Sequence, residues 1–400
     1  MILKNNNLIK FIYSKLSLVR KGLNMIRQRI FISMVIITCT IGLISCSKNE
    51  KMQINPIDME VNIGQLPYQD LEKEWSVMNM DKYILRTAQQ IWNTWSSMDK
   101  IWPGVDFSKY NVLYVSIDGE NAWLINPNNE IIKFSGKDLP DKFKATGEEM
   151  SFTSSEETLN GKPTIKVEVK PKMFEEPYSV SEFKSLPTGT NLFPFTVHEE
   201  FHNYQGTWKI NDVNKEELLQ EGVENFEARQ ERLEILNCLN KAVLDPDKET
   251  QYLEAAKWWF NKYKTDNEKE YNMIKNVDTL EGTARYFDMA VNIRSIKGMD
   301  ISEDEAFKVY QNMVREDYTF SSDRFFGLPD EESYDIGGLC GIILEKQNNQ
   351  EWKKEAENGT PPLEILLKNY KQTPQESSPE VKKIIEDIKL KRDQLNNEEE

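Results

Sequence analysis

The chain has 400 residues, 66 of them acidic against 50 basic, and a formal net charge of −16 at pH 7. Such a balance repels phosphate backbones and anionic headgroups, which argues against nucleic acid as a partner. With 39% hydrophobic residues and nine tryptophans, the chain holds enough apolar material for one large core or two smaller ones.

Residues 1–45 read as an export signal and not as part of the fold. The stretch "MIRQRIFISMVIITCTIGLISC" starts basic at Arg27 and Arg29 and runs apolar from Ile30 to Ile44. It ends in "LISC", the layout of a secretory signal with a lipoprotein-type cleavage site before Cys46. Met25 is the more natural start. The apolar run is short for a permanent span, and an uncleaved anchor would equally leave the rest of the chain outside the cytoplasm. Cys46 is thus the expected lipidation residue, tying an exported protein to the cell-envelope membrane by its buried acyl chains. Loss of the seven basic residues of this segment takes the charge from −16 to −23. Cys39 leaves with it. Cys238 and Cys340 lie in apolar runs ("EILNCLNKAVL", "GGLCGIILE") and are expected as two buried free thiols.

Residues 46–75 are polar, without period, and read as a tether. From 76 to 190 a sheet-and-helix part is expected. Leu85, Ala88, Trp92, Trp95 and Met98 recur at three- and four-residue steps, which predicts a helix over 80–101, stopped by "WPG". The tryptophans on that stripe read as core and not as a sugar platform. "NVLYVSI" (111–117), "NAWLINP" (121–127) and "EIIKF" (130–134) read as strands joined by short polar turns. "PTIKVEVKP" (163–171) alternates like a half-buried strand. From 191 to 372 the pattern is mainly helical. Residues 373–400 are charged on most faces and are expected as a solvated helix without chemistry.

Both histidines of the chain sit in "TVHEEFHNYQGTW", at His198 and His202. Four residues on a helix return about 40° from the starting direction, so both imidazoles leave one face, one turn apart. Two imidazoles so placed can chelate one metal ion. Glu199 lies about 60° from His202 and about 100° from His198, where it can reach a water beside the ion and not the ion itself. This is the H-E-x-x-H pattern, in which neutral imidazoles bind Zn2+ and the glutamate acts as general base. The bare pattern is weak. In a chain with two histidines, however, this arrangement arises about once in 2,000 shuffled sequences.

A catalytic zinc needs a third protein ligand. With no third histidine and both remaining cysteines in apolar runs, a carboxylate is required. "LLQEGVENFEARQERL" offers Glu221, and "VDTLEGTARYFDMAVN" offers Glu281. Glu221 lies in a dense acidic run, the ordinary setting of a solvated face. Glu281 has apolar neighbours, and Gly282 and Ala284 permit close helix packing.

"HEEFH", "EGTARYF" and "YDIGGLCGIIL" follow one another in an order that resembles the gluzincin metallopeptidases, nearest to relatives of aminopeptidase N and glycyl aminopeptidase. The resemblance covers about residues 190–370. It implies that His198 and His202 are zinc ligands, Glu199 the general base, and Tyr334 of "YDIG" the oxyanion-stabilising tyrosine. The family's short interval favours Glu221 as third ligand. Its fuller E-G-x-x-x-Y motif and the distance forward to Tyr334 favour Glu281, with two inserted helices in between. Tyr286 competes with Tyr334, although its position on the ligand helix suits packing. "LPTGTNLFPF", which precedes the histidines, lacks the amine-capturing glutamate of the aminopeptidases, so exopeptidase activity is not supported. The expected fold is therefore α+β and zincin-like, a small sheet-and-helix part followed by a mainly helical body. The expected function is a zinc metallohydrolase acting on peptides or proteins; the alternative is a non-catalytic zincin-like scaffold lipoprotein.

Overall fold

A computed structural model describes residues 79–148, 151–154, 157–170, 192–210, 218, 225–317, 322, 325 and 331–397. The expected signal, Cys46, the tether and Glu221 lie outside the described residues. The fold is α+β. Two compact units divide it: among the described residues one holds 79–200 and 291–299, the other 201–290 and 300–397.

The first unit is built on a mixed sheet. Helix α1 (Met80–Thr94) begins where the Asn79 side chain accepts from Lys82 N–H, and it continues into a short 3-10 turn (Trp95–Lys100). Strands β1 (Asn111–Ser116), β2 (Ala122–Asn126) and β3 (Glu130–Phe134) form an antiparallel meander. Its first turn is held by Asp118, which accepts from Glu120 N–H at 2.9 Å, and by Gly119 at φ +70°, a conformation that favours glycine. β4 (Phe152–Thr153) and β5 (Thr158–Leu159) are two-residue pieces that each pair with β6 (Lys162–Val169). β6 returns parallel to β1, giving the order β3-β2-β1-β6-β4.

The stripe that runs along α1 into its 3-10 turn is core, as its spacing predicts: Leu85 and Ala88 of the helix and Trp95 and Met98 of the turn are fully buried. Trp92 is half-buried and donates its indole N–H to Asn126 O. On one face of the sheet Leu113, Val115, Ala122, Leu124 and Phe134 pack with Leu139, Phe143 and Leu159. β6 departs from the half-buried reading. Its polar residues Lys166 and Glu168 are themselves buried and paired at 2.9 Å, and Glu168 also accepts from Thr146 and Gly147 N–H. The alternation thus creates an internal ion pair that pins a loop, because a buried carboxylate is tolerated only with such partners.

The second unit is helical. α2 (Leu192–Gln205) and α5 (Glu268–Lys297) run through the division. In the sheet unit, the start of α2 is tied by Thr196 to Tyr114 OH at 2.8 Å, and the end of α5 by Asn292 and Ser295 to Gln90. α3 (Phe226–Leu244) and α4 (Glu249–Asp266) are the two helices expected between the motifs. α6 (Glu303–Asp317), α7 (Glu331–Lys346), α8 (Trp352–Glu357), α9 (Pro362–Leu367) and α10 (Pro379–Asn397) follow. α10 corrects the expectation of a solvated tail: Val381, Ile384, Ile385 and Ile388 form a buried stripe at helical spacing. Its charges mask a four-residue apolar face. Cys238 and Cys340 are buried free thiols, and burial raises that of Cys238 to about 12. Among the described residues no helix is long and apolar enough to cross a membrane.

Candidate metal centre

His198 and His202 leave α2 one turn apart, as four-residue spacing requires. His198 is buried at 1% exposure, whereas the His202 side chain is 23% exposed. Glu281 projects from the middle of α5, its side chain 11% exposed. Its Oε2 lies 3.2 Å from His202 Nε2. One ligand atom from each of His198, His202 and Glu281 lies within 4.8 Å of the others, and this group could hold a metal ion. Glu199, between the two histidines, is half-buried.

Aromatic packing positions the two helices in the helical unit. Phe201 of α2 stacks on Phe287 of α5, with centroids 4.3 Å apart and planes inclined by 20°. Tyr204 stacks beside Phe201 and donates to Glu357 at 2.9 Å, and Trp208 closes edge-on. Gln205, the last residue of α2, donates to Leu280 O at 2.8 Å and to Thr283 Oγ1 at 2.7 Å on α5. Its Oε1 lies 2.6 Å from His202 Nδ1. Gln205 was not singled out in the sequence. Its one local signal was its position, three residues after His202 on the same helical face.

Glycines bring α7 against α5 at the residue next to Glu281. A Cβ on Gly337 would sit 2.2 Å from Gly282 Cα, and one on Gly282 would meet Ser333 O at 3.1 Å. Gly341 leaves room for the Tyr286 ring, which an added Cβ would approach to 2.5 Å. The glycines of "EGTARY" and "YDIGGLCG" are thus two sides of one tight helix crossing. Tyr286 is buried there, edge-on to Trp352 at 5.0 Å. Tyr334 lies one turn before Gly337 and is half-buried.

A buried charge cluster ties the same turn of α7 to α3 and α5. Glu332 Oε2 accepts from Arg229 at 2.5 Å and from Arg232 at 2.8 Å. Arg232 also pairs with Asp278 at 2.7 Å, and Arg229 with Glu270. Burial pushes the Glu332 carboxyl up to about 7, against the pull of both arginines. Burial also opposes the charge of the arginines, but the surrounding carboxylates hold them protonated.

Comparison of the chain with protein-family models, with curated proteins and with solved structures finds no match.

Proposed function

We propose that the protein is an exported, lipid-anchored zinc hydrolase with a zincin-like body, acting on peptide or protein substrates. The observation that carries this reading is the convergence of His198, His202 and Glu281. Two imidazoles and a carboxylate are a three-ligand set typical of catalytic zinc. Ligands on a tetrahedral ion with bonds of about 2.0–2.2 Å stand about 3.3–3.6 Å apart, close to the 3.2 Å between His202 and Glu281. A bound zinc ion would supply Lewis acidity, polarising a carbonyl and making water more acidic.

The chain's own groups would do the rest. Glu199 removes the proton from the attacking water and returns it to the leaving amine. The Tyr334 hydroxyl donates to the oxygen on which charge develops. Cys46 holds the protein at the membrane, and the acidic body disfavours nucleic acid.

Metal analysis and a broad peptide-library assay on matched variants test this. The parent should bind about one zinc per chain. Glu199→Gln should keep the metal and lose hydrolysis by ~10²–10⁴-fold. His202→Ala should lose both. Glu281→Gln should weaken metal binding sharply, while Glu221→Gln leaves it intact. A parent that binds zinc but cleaves nothing would leave a scaffold role, and a parent without metal would end the reading.

A further inference from the structure

We propose that Gln205 is a positioning residue that fixes the tautomer of His202, leaving the Nε2 lone pair to face the metal. The inference rests on the metal reading above and assigns a role to a residue that reading does not use.

The argument follows a chain of hydrogen bonds whose directions are forced. Leu280 O is a backbone carbonyl and can only accept. The Gln205 atom 2.8 Å from it must therefore be the amide nitrogen. The same nitrogen reaches Thr283 Oγ1 at 2.7 Å. That hydroxyl spends its own proton on Thr279 O at 2.6 Å, so it accepts from the amide. Both amide hydrogens are then committed to α5, and the amide cannot flip without placing its oxygen against a carbonyl oxygen. Gln205 is 3% exposed, so water offers no ready replacement.

With the amide held, Gln205 Oε1 points to His202 Nδ1 at 2.6 Å. An amide oxygen only accepts, so Nδ1 must carry the proton. Nε2, the ring nitrogen 3.2 Å from Glu281 Oε2, is left to coordinate. A neutral histidine side chain free in water prefers its proton on Nε2, the nitrogen needed here as ligand. Gln205 opposes that preference, a role usually filled by a carboxylate or a backbone carbonyl beside a ligating histidine. The anchor residues Leu280 and Thr283 flank Glu281, so the device that orients one ligand is bonded to the helix turn that carries another.

The test uses the full chain labelled with 15N-histidine and loaded with Zn2+, where only two imidazoles contribute signals. The expected spectrum shows His202 coordinated through Nε2 and carrying a proton on Nδ1. Coordination of His202 through Nδ1 would overturn the proposal. Zn2+ affinity is then measured by chelator competition in the parent, Gln205→Met and Gln205→Glu. Gln205→Met keeps the volume and removes the acceptor; it should weaken Zn2+ binding by ~10- to 100-fold, with the His198 signals unmoved. Gln205→Glu keeps an acceptor beside Nδ1 but sets a second oxygen against Leu280 O; it should bind Zn2+ more tightly than Gln205→Met while unfolding at a lower temperature than the parent. Undiminished affinity in Gln205→Met, in a parent that does bind Zn2+, would overturn the role of Gln205 and leave the metal reading standing. A parent that binds no Zn2+ would overturn both. Should Gln205→Met fail to fold, the parent's spectrum alone decides the tautomer.

Discussion

Two buried polar clusters hang on α5, one helical turn apart at Asp278 and Glu281, and they differ in kind. The first joins Arg229 and Arg232 to Glu270, Asp278 and Glu332, so carboxylates face permanent cations supplied by the chain. The second joins two imidazoles to one carboxylate, groups whose lone pairs can converge on an ion. Burying charge demands compensation, and the first cluster provides it with guanidiniums. The composition of the second suits compensation by a metal. The difference teaches that burial and ionisable residues do not by themselves mark a site. Donor type separates an internal brace from a candidate metal centre.

The comparison breaks most visibly at the brace. Arg232→Met should cost ~3–5 kcal/mol in denaturant unfolding, because it strands Asp278 and half of the Glu332 pairing. An effect below about 1 kcal/mol would mean that the cluster is not a brace. Metal should act only on the second cluster. Zn2+ at 100 times its Kd should stabilise the parent by about 2.7 kcal/mol in thermal unfolding, and His202→Ala by nothing measurable. An equal response in that variant would place binding elsewhere. Gly337→Ala, at the crossing beside both clusters, should cost ~1–3 kcal/mol through overpacking against Gly282, and a neutral result would deny the tight approach.

The smallest expected effect is a slope. The Glu332 carboxyl is raised in the folded protein from 4.5 to about 7. A carboxyl raised on folding contributes its stability at low pH and loses it as pH rises through the folded value. The penalty of Glu332→Gln should therefore shrink between about pH 4.5 and 7 in paired urea titrations. A penalty that grows with pH would reverse the assignment.

Much of the fold was legible because its signals are local. The tryptophan stripe of α1 repeats at helical period, and the meander of β1 to β3 follows alternation and turn residues. Two features were masked by charge. Lys166 and Glu168 looked like a solvent face and are an internal pair, while the apolar stripe of α10 was hidden among lysines and glutamates. Lys166 and Glu168 are near neighbours on one strand, but the loop at Thr146 and Gly147 that covers them lies well before them in the chain, and the stripe of α10 packs on α3; no periodicity reports either.

The same division runs through the candidate centre. Residues four apart on a helix share a face whatever surrounds them, so the alignment of His198 and His202, with Glu199 between them, follows from the backbone spacing alone. The approach of Glu281 to His202, 79 residues away, depends on how α5 lies against α2, and that rests on the stacking of Phe201 on Phe287 and on the bonds of Gln205. The glycines of α7 gained a reason only once Gly337 was seen against Gly282. Geometry within one helical turn is set by covalent structure and backbone hydrogen bonds. Geometry between helices is set by side-chain packing over the whole core, which belongs to no single stretch of the chain.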